Sequence, residues 1–322
     1  MAAQPTAAII GVGKIAASHL SALRAAGFSV RHVAASPGSK NVQKFAELHG
    51  IESYWHDPRE LLLDGDWDAV VLATSVEPTI DLLTIANEIG KPCLVEKPIA
   101  YDSAVLRQLL HSSLHIRVGY NRRFYDTSCL AREFAKLGPC IFQLELPDSG
   151  NFRNKDGIKS IRHNSIHGLD LLAFVIGQYR IEKVFSMGDD SSPGFVAALK
   201  NGLGHMGVIV INFNCSANYR LVLDRAPKRF ELNPLEFSRS YEEVEVVAPS
   251  IELPFRQYLP KVVSHADWGN KNDGLKPGFL SQAQSLMNFT INGVWDDRAA
   301  TIQDAMFALD TADTFESRLT IS

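Results

Sequence analysis

The sequence is poor in cysteine and gives it no pattern. Cys93, Cys129, Cys140 and Cys215 are its four cysteines in 322 residues, with no Cys-x-x-Cys pair and no zinc-ribbon spacing. A disulfide framework and a zinc ribbon are thereby excluded, and the thiols are expected as small buried or half-buried side chains. Lack of a disulfide framework fits a reducing compartment, so a cytoplasmic location is expected. No apolar run approaches the ~20 residues that a membrane-crossing helix needs. The N-terminus has no basic segment, and its first apolar stretch runs straight into a glycine motif, which is not the layout of a secretory signal. Basic charge is not in excess either. Lys and Arg number 32 against 36 Asp and Glu, a net charge of −4, so no global field exists to hold nucleic acid or an anionic membrane. Internal repeats and low-complexity tracts are also missing.

What is present is an ordinary globular composition, 46% hydrophobic and 21% charged. At roughly 150 residues per domain, a chain of this length is expected to form two. The first third alternates short apolar runs with amphipathic segments, the mark of βαβ units and a parallel sheet. Strands are expected at residues 7–10, 30–35, 68–73, 93–96 and 116–118. Helices are expected at 15–26, 41–49, 79–89 and 103–111, three of them stopped by Gly27, Gly50 and Gly90. From about residue 140 the apolar period drops to two, at 141–146, 206–213, 219–224 and 241–247. Flanking helices are expected at 165–176, 278–288 and 301–318. Residues 249–277 carry Pro249, Pro254, Pro260 and Pro277 and little periodicity, which predicts a long excursion over the surface or the active site. The expected architecture is an α/β Rossmann domain over residues 1–118. An α+β domain with a large, mainly antiparallel open sheet follows over 119–322.

Gly11-Val12-Gly13-Lys14-Ile15-Ala16 is a GxGxxA motif directly after a strand and opening a helix. The first glycine permits the tight turn, the second lets backbone approach a pyrophosphate, and Ala16 keeps helix and strand close. The helix start then offers free N–H groups to the phosphates. A dinucleotide site of this kind usually has an acid about 20 residues on to hold the ribose diol of NAD. That place falls at Ser36, and no acidic residue occurs before Glu47. Ser36, Ser39 and Lys40 follow the second strand instead, two hydroxyls and a cation suited to a 2′-phosphate. NADP is therefore the expected cofactor, with NAD as the alternative.

Val95-Glu96-Lys97-Pro98 closes another strand, and here the chain resembles the Gfo/Idh/MocA oxidoreductases (the glucose-fructose oxidoreductase and inositol dehydrogenase type). The glycine motif, the strand leading to Thr74, the Glu-Lys-Pro tripeptide, Gly119-Tyr120-Asn121-Arg122-Arg123-Phe124 and His167-Gly168-Leu169-Asp170-Leu171-Leu172 occur in that family's order. The resemblance spans essentially the whole chain and fades after about residue 225. It implies that Lys97 lies between nicotinamide and substrate, and that His167 is the acid/base. It also implies that Glu96 reaches the nicotinamide ribose, that Thr74, Ser75 and Val76 line the cofactor loop, and that Lys97-Pro98 is a cis peptide. A second copy would bind through the large sheet, as a homodimer or homotetramer. Lysine can polarise a carbonyl or hold an alkoxide, and histidine can move the hydroxyl proton at neutral pH.

One departure matters. Four residues before the histidine that family usually has Asp, and this chain has His163. Either His163 takes over substrate contact or proton transfer, or catalysis is weakened. The pair His163 and His167 also has zinc-helix spacing, but Asn164 stands where the catalytic Glu of HExxH would be and no third ligand is apparent, so no metal is expected. Arg153, Lys155, Lys159, Arg162 and His163 crowd residues 153–163, opposed only by Asp156. Arg153, Arg162 and His163 of this run, with Asn121, Arg122, Asn164 and His167, are the expected substrate contacts, suited to a sugar-like substrate bearing a carboxylate or phosphate. The other readings of this chain are a dinucleotide-binding regulator without turnover and an oxidoreductase of inositols or imines.

Overall fold

The computed structural model describes residues 3–110, 114–148, 161–187, 194–213, 215–267 and 274–319. Two compact units form, one from Met1–Phe124 with Asn272–Asp310, the other from Tyr125–Lys271 with Thr311–Ser322.

The first unit opens with β1 (Thr6–Ile10), α1 (Ala16–Ala25), β2 (Ser29–Ala34), α2 (Asn41–His49), β3 (Ser53–Trp55) and α3 (Pro58–Asp64). It continues through β4 (Ala69–Leu72), α4 (Val76–Ile89), β5 (Cys93–Val95), a 3₁₀ helix (Ser103–Leu109) and β6 (Ile116–Val118). The strands lie in the order β3-β2-β1-β4-β5-β6, all parallel. Helices cover both faces of such a sheet, so its inner strands are apolar without alternation. Ala7 to Ile10 and Ala69 to Leu72 are accordingly wholly buried. The order turns back at β1, between β2 and β4, and ligands of doubly wound sheets bind at the strand ends beside such a point.

In the second unit, α5 (Asp126–Lys136), β7 (Ile141–Asp148), a π-helical turn (Ile161–Ser165) and α6 (Ile166–Ile176) precede a run of strands. These are β8 (Arg180–Met187), β9 (Gly194–Lys200), β10 (Met206–Phe213), β11 (Arg220–Arg225), β12 (Lys228–Leu232), β13 (Phe237–Val247) and β14 (Gln257–Asp267). Helices α7 (Phe279–Asn292) and α8 (Ile302–Leu319) complete the chain. The eight-stranded sheet runs β14-β13-β12-β11-β7-β10-β9-β8. Only β7 and β10 pair in parallel; every other neighbour is antiparallel. Leu144 and Leu146 of β7, Ile209 and Ile211 of β10, and Leu221 and Leu223 of β11 are fully buried, the one-sided pattern of a sheet with a single covered face. Helix α6 presses on that face so closely that a Cβ on Gly168 would sit 2.2 Å from Leu146 Cδ2.

The structure departs from the expectations in several places. Residues 249–277 are not an irregular excursion throughout, because β14 occupies 257–267. Its Pro260 is tolerated because β14 is the outermost strand, where a missing N–H costs no ladder bond on the open side. The segment at 103–109 is a 3₁₀ helix rather than an α-helix. Helix α4 starts three residues before the expected 79, since Pro78 sits in its first turn, where no intrahelical N–H bond is needed. Cys215 is exposed, not buried or half-buried. A cut between residues 118 and 119 also differs from the observed units. Phe279, Ala283 and Leu286 of α7 belong to the apolar cluster around α1 and β1, and Val118 pairs with Ala300. Burial of that α7 face draws Asn272–Asp310 into the first unit.

Candidate active site

At the C-terminal end of β1, Gly11 has φ +105° and donates its N–H to Ala34 O at 2.8 Å. A Cβ here would fall 2.2 Å from Ala73 O, so only glycine lets the turn approach the end of β4. Gly13 differs. A Cβ there would meet no atom within 4 Å, so its face is open. The start of α1 carries no side-chain cap; its Ala16 and Ser18 N–H groups bond Gly13 O and Ile15 O at 3.1 Å, and the positive end of the helix dipole lies beside that face. These features fit a pyrophosphate cradle. Gly11, Val12, Gly13, Ser36, Thr74 and Ser75 also line a cavity of about 370 Å³. Of the other cofactor residues expected from sequence, Lys14, Ile15, Lys40, Val76, Glu96 and Lys97 are not among its lining. Ile15 instead packs against the apolar core, and Lys40 is the exposed residue ahead of α2.

Glu96 and Lys97 follow β5. The Glu96 N–H bonds Leu72 O at 2.8 Å, extending the β4–β5 pairing by one residue. Its carboxylate meets Nε2 of His19, from α1, at 2.8 Å, with the side chains 13% and 3% exposed respectively. A Cβ on Gly119 would come within 3.1 Å of that carboxyl, so the β6 end is shaped around it. Burial pushes the Glu96 carboxyl up, but the His19 hydrogen bond and the charges of His19, Lys97 and Lys276 outweigh it and hold it below its ordinary value. The Lys97 N–H also donates to Glu96 Oε2 at 3.3 Å, and the Lys97-Pro98 peptide is cis, as the resemblance implies. His19 in turn lies 4.8 Å from the Phe279 ring, over which Lys276 Nζ stands at 5.0 Å. Asn121 spends its amide on Pro277 O at 2.9 Å, tying the chain after β6 to the start of α7.

In the second unit, Arg162, His163 and Asn164 lie in the π-helical turn and His167 in the first turn of α6. The four-residue spacing of the histidines therefore crosses a change of helical pitch rather than one regular α-turn. Such turns recur at functional sites. Arg162 is engaged, its Nε at 3.2 Å and Nη2 at 2.5 Å from Asp313 Oδ1. Any substrate contact by Arg162 would compete with that pair. Arg153, Lys155 and Lys159 lie outside the described residues. Among the described residues no group of three His, Cys, Asp or Glu is placed to hold a metal ion, and no helix is long and apolar enough to cross a membrane.

A family model described as an oxidoreductase family with an NAD-binding Rossmann fold, that of Gfo/Idh/MocA, matches residues 6–113. Over this stretch, about a third of the chain, the protein is similar to the Gfo/Idh/MocA oxidoreductases. It is 24% identical over 225 residues to a myo-inositol 2-dehydrogenase of Thermotoga maritima, a match covering 65% of each chain and so less than two thirds of that relative. The fold is that of a myo-inositol dehydrogenase of Lactobacillus casei, solved with NAD(H) and myo-inositol (TM-score 0.76, 15% identity, 99% of this chain and 95% of that one). A UDP-N-acetylglucosamine 3-dehydrogenase of Acidithiobacillus ferrooxidans has the same fold (TM-score 0.75, 17% identity, 98% of each chain).

Sequence reasoning missed the charged lining of this cavity, Asp57, Arg59 and Asp81. A signal existed. Asp57-Pro58-Arg59-Glu60 is a helix-start signature, and Asp57 does cap α3, accepting the Arg59 N–H at 2.8 Å. His19 was missed as well, since a lone histidine in an amphipathic helix gives no sign of a partner 77 residues away.

Proposed function

We propose that this protein is an NADP-preferring oxidoreductase that moves a hydride to or from an alcohol carbon of a sugar, sugar acid or nucleotide sugar. Lys97 and His167 are its catalytic groups. The observation that carries this reading is the buried His19–Glu96 pair anchoring Lys97 in the same domain as the open Gly13 face. When bound, the dinucleotide supplies the nicotinamide carbon that takes or gives the hydride.

In this reading Lys97 stabilises the alkoxide or polarises the carbonyl as charge develops on oxygen. Glu96, held below its ordinary value by His19, offers the Lys97 ammonium an opposite charge. His167 takes or returns the hydroxyl proton, and His163, replacing the usual Asp, contacts the substrate beside it. Asn121, Arg122, Asn164 and Arg162 hold the remaining hydroxyls or an anionic group. Preference for NADP is supported by Ser36 lining the cavity where an acid would select the NAD diol. The protein is further proposed to work as a homo-oligomer joined through the eight-stranded sheet.

The test is a screen by reduced-nicotinamide absorbance, with both dinucleotides and a panel of hexoses, inositols, sugar acids and nucleotide sugars. Turnover of at least one, faster with NADP, is the expected result. A protein that binds dinucleotide tightly and turns over none is a regulator of the same fold, the reading that the loss of Asp at His163 favours.

A further inference from the structure

Strands β2 and β3 are neighbours, with Ala34 opposite Trp55. The chain leaves both at the same end of the sheet, so Ser36 and Asp57 each lie two residues beyond a paired position, and Arg59 lies two further on. Ser36, Pro37, Ser39, Asp57 and Arg59 line the one cavity that also holds Gly11 and Gly13. The open glycine face marks its pyrophosphate end, and the turn after β2 marks the end where an adenosine ribose is read. Among the described residues lining this cavity, Arg59 is the only cation. Lys40, the cation that the local sequence nominates, is not part of the wall.

Arg59 is not committed to the fold. Its Nη2 meets Asp81 Oδ2 at 3.0 Å, with the two side chains 58% and 69% exposed. Exposed pairs of this kind contribute little to stability. A guanidinium presents five N–H donors in a planar fork, so one bond to Asp81 leaves others for a second acceptor. Asp57, the nearer acid, has Oδ1 taken by the Arg59 N–H as the cap of α3. The wall thus offers a held but unsaturated arginine beside two serine positions, the donor set that suits a phosphate monoester on a ribose.

We infer that Arg59, steadied by Asp81, receives the 2′-phosphate of NADP and is the specificity-determining residue of the cofactor site. This rests on the NADP reading above. The experiment is equilibrium binding of adenosine 2′,5′-bisphosphate and of ADP to the full chain, as wild type, Arg59→Ala and Lys40→Ala. These probes reach the adenosine end alone, and ADP binding by each variant reports that the pocket is folded. Wild type is expected to favour the 2′-phosphorylated probe. Arg59→Ala should weaken that probe about ten- to hundredfold, the loss of charge-assisted contacts, and leave ADP within about twofold. If wild type favours the bisphosphate but Arg59→Ala weakens both probes equally or neither, or if Lys40→Ala carries the loss, the assignment to Arg59 fails and the NADP reading stands. If wild type binds ADP as tightly as the bisphosphate, that reading fails and the assignment falls with it.

Discussion

Lys97 and His167 differ in how their surroundings prepare them. Lys97 is backed by a buried carboxylate that is itself paired, whereas His167 stands in the first turn of a helix whose next residue abuts β7. Replacing either by alanine is expected to lower kcat about a hundredfold with dinucleotide affinity retained. Near wild-type turnover by either variant on a true substrate refutes the role. The Glu96–His19 pair lends itself to a different test. Removing one partner of a buried pair strands the other, at roughly 3–5 kcal/mol, so His19→Ala should show a clear loss in denaturant melts. Because the folded Glu96 carboxyl lies below its ordinary 4.5, its ionised form stabilises the fold above that pH. The contribution disappears as pH falls through the lower, folded value. The stability gap between wild type and Glu96→Gln should therefore shrink as the pH falls below 4.5. A gap that grows on acidification contradicts the pairing.

Among the elements, the β1–α1 turn separates two demands that one motif combines. Gly11→Ala places a methyl against the Ala73 backbone at positive φ, a clash that is expected to cost several kcal/mol or abolish folding. Gly13→Ala meets nothing in the protein, so it should change stability by less than about 1 kcal/mol. It should nonetheless weaken dinucleotide binding about tenfold or more, because the methyl occupies the open face. Equal affinity for wild type and Gly13→Ala would remove the phosphates from that face. The same turn shows why part of the molecule was legible beforehand. Strand, glycines and helix stand in one short stretch, and the buried strands of a parallel sheet announce themselves as apolar runs. Helix α2 lay at Asn41–His49 as expected, closed by left-handed Gly50. Strand β3 has only Ser53–Trp55, none of them buried, too short for a periodicity to register. Strand β14 carries a proline and long exposed stretches, so its pairing with β13 comes from the sheet and not from a local pattern. Lys97 and His167 could be nominated because they sit inside motifs. Arg59 and His19 acquire meaning only when the fold brings β3 beside β2 and α1 beside β5.

For the whole molecule, the eight-stranded sheet leaves β13 and β14 widely accessible. Val244, Val246, Tyr258, Leu259, Val262 and Val263 are 47–62% exposed. Val244, Val246, Tyr258 and Val262 share one face of this strand pair and Leu259 and Val263 the other, and a second copy of the chain is the proposed cover of the first face. Light scattering on the purified protein should give two or four times the 35.5 kDa chain mass. Val246→Glu with Val262→Glu should shift it toward one. A monomeric wild type would refute the proposed assembly while leaving the chemistry of each chain untouched. The central claim concerns that chemistry, and initial-rate nicotinamide absorbance measures it directly. On the best alcohol in the panel, with NADP, wild type should reduce the dinucleotide and Lys97→Ala should do so about a hundredfold more slowly. Tight NADP binding without turnover on any member of the panel, or equal rates for the two proteins, would contradict it.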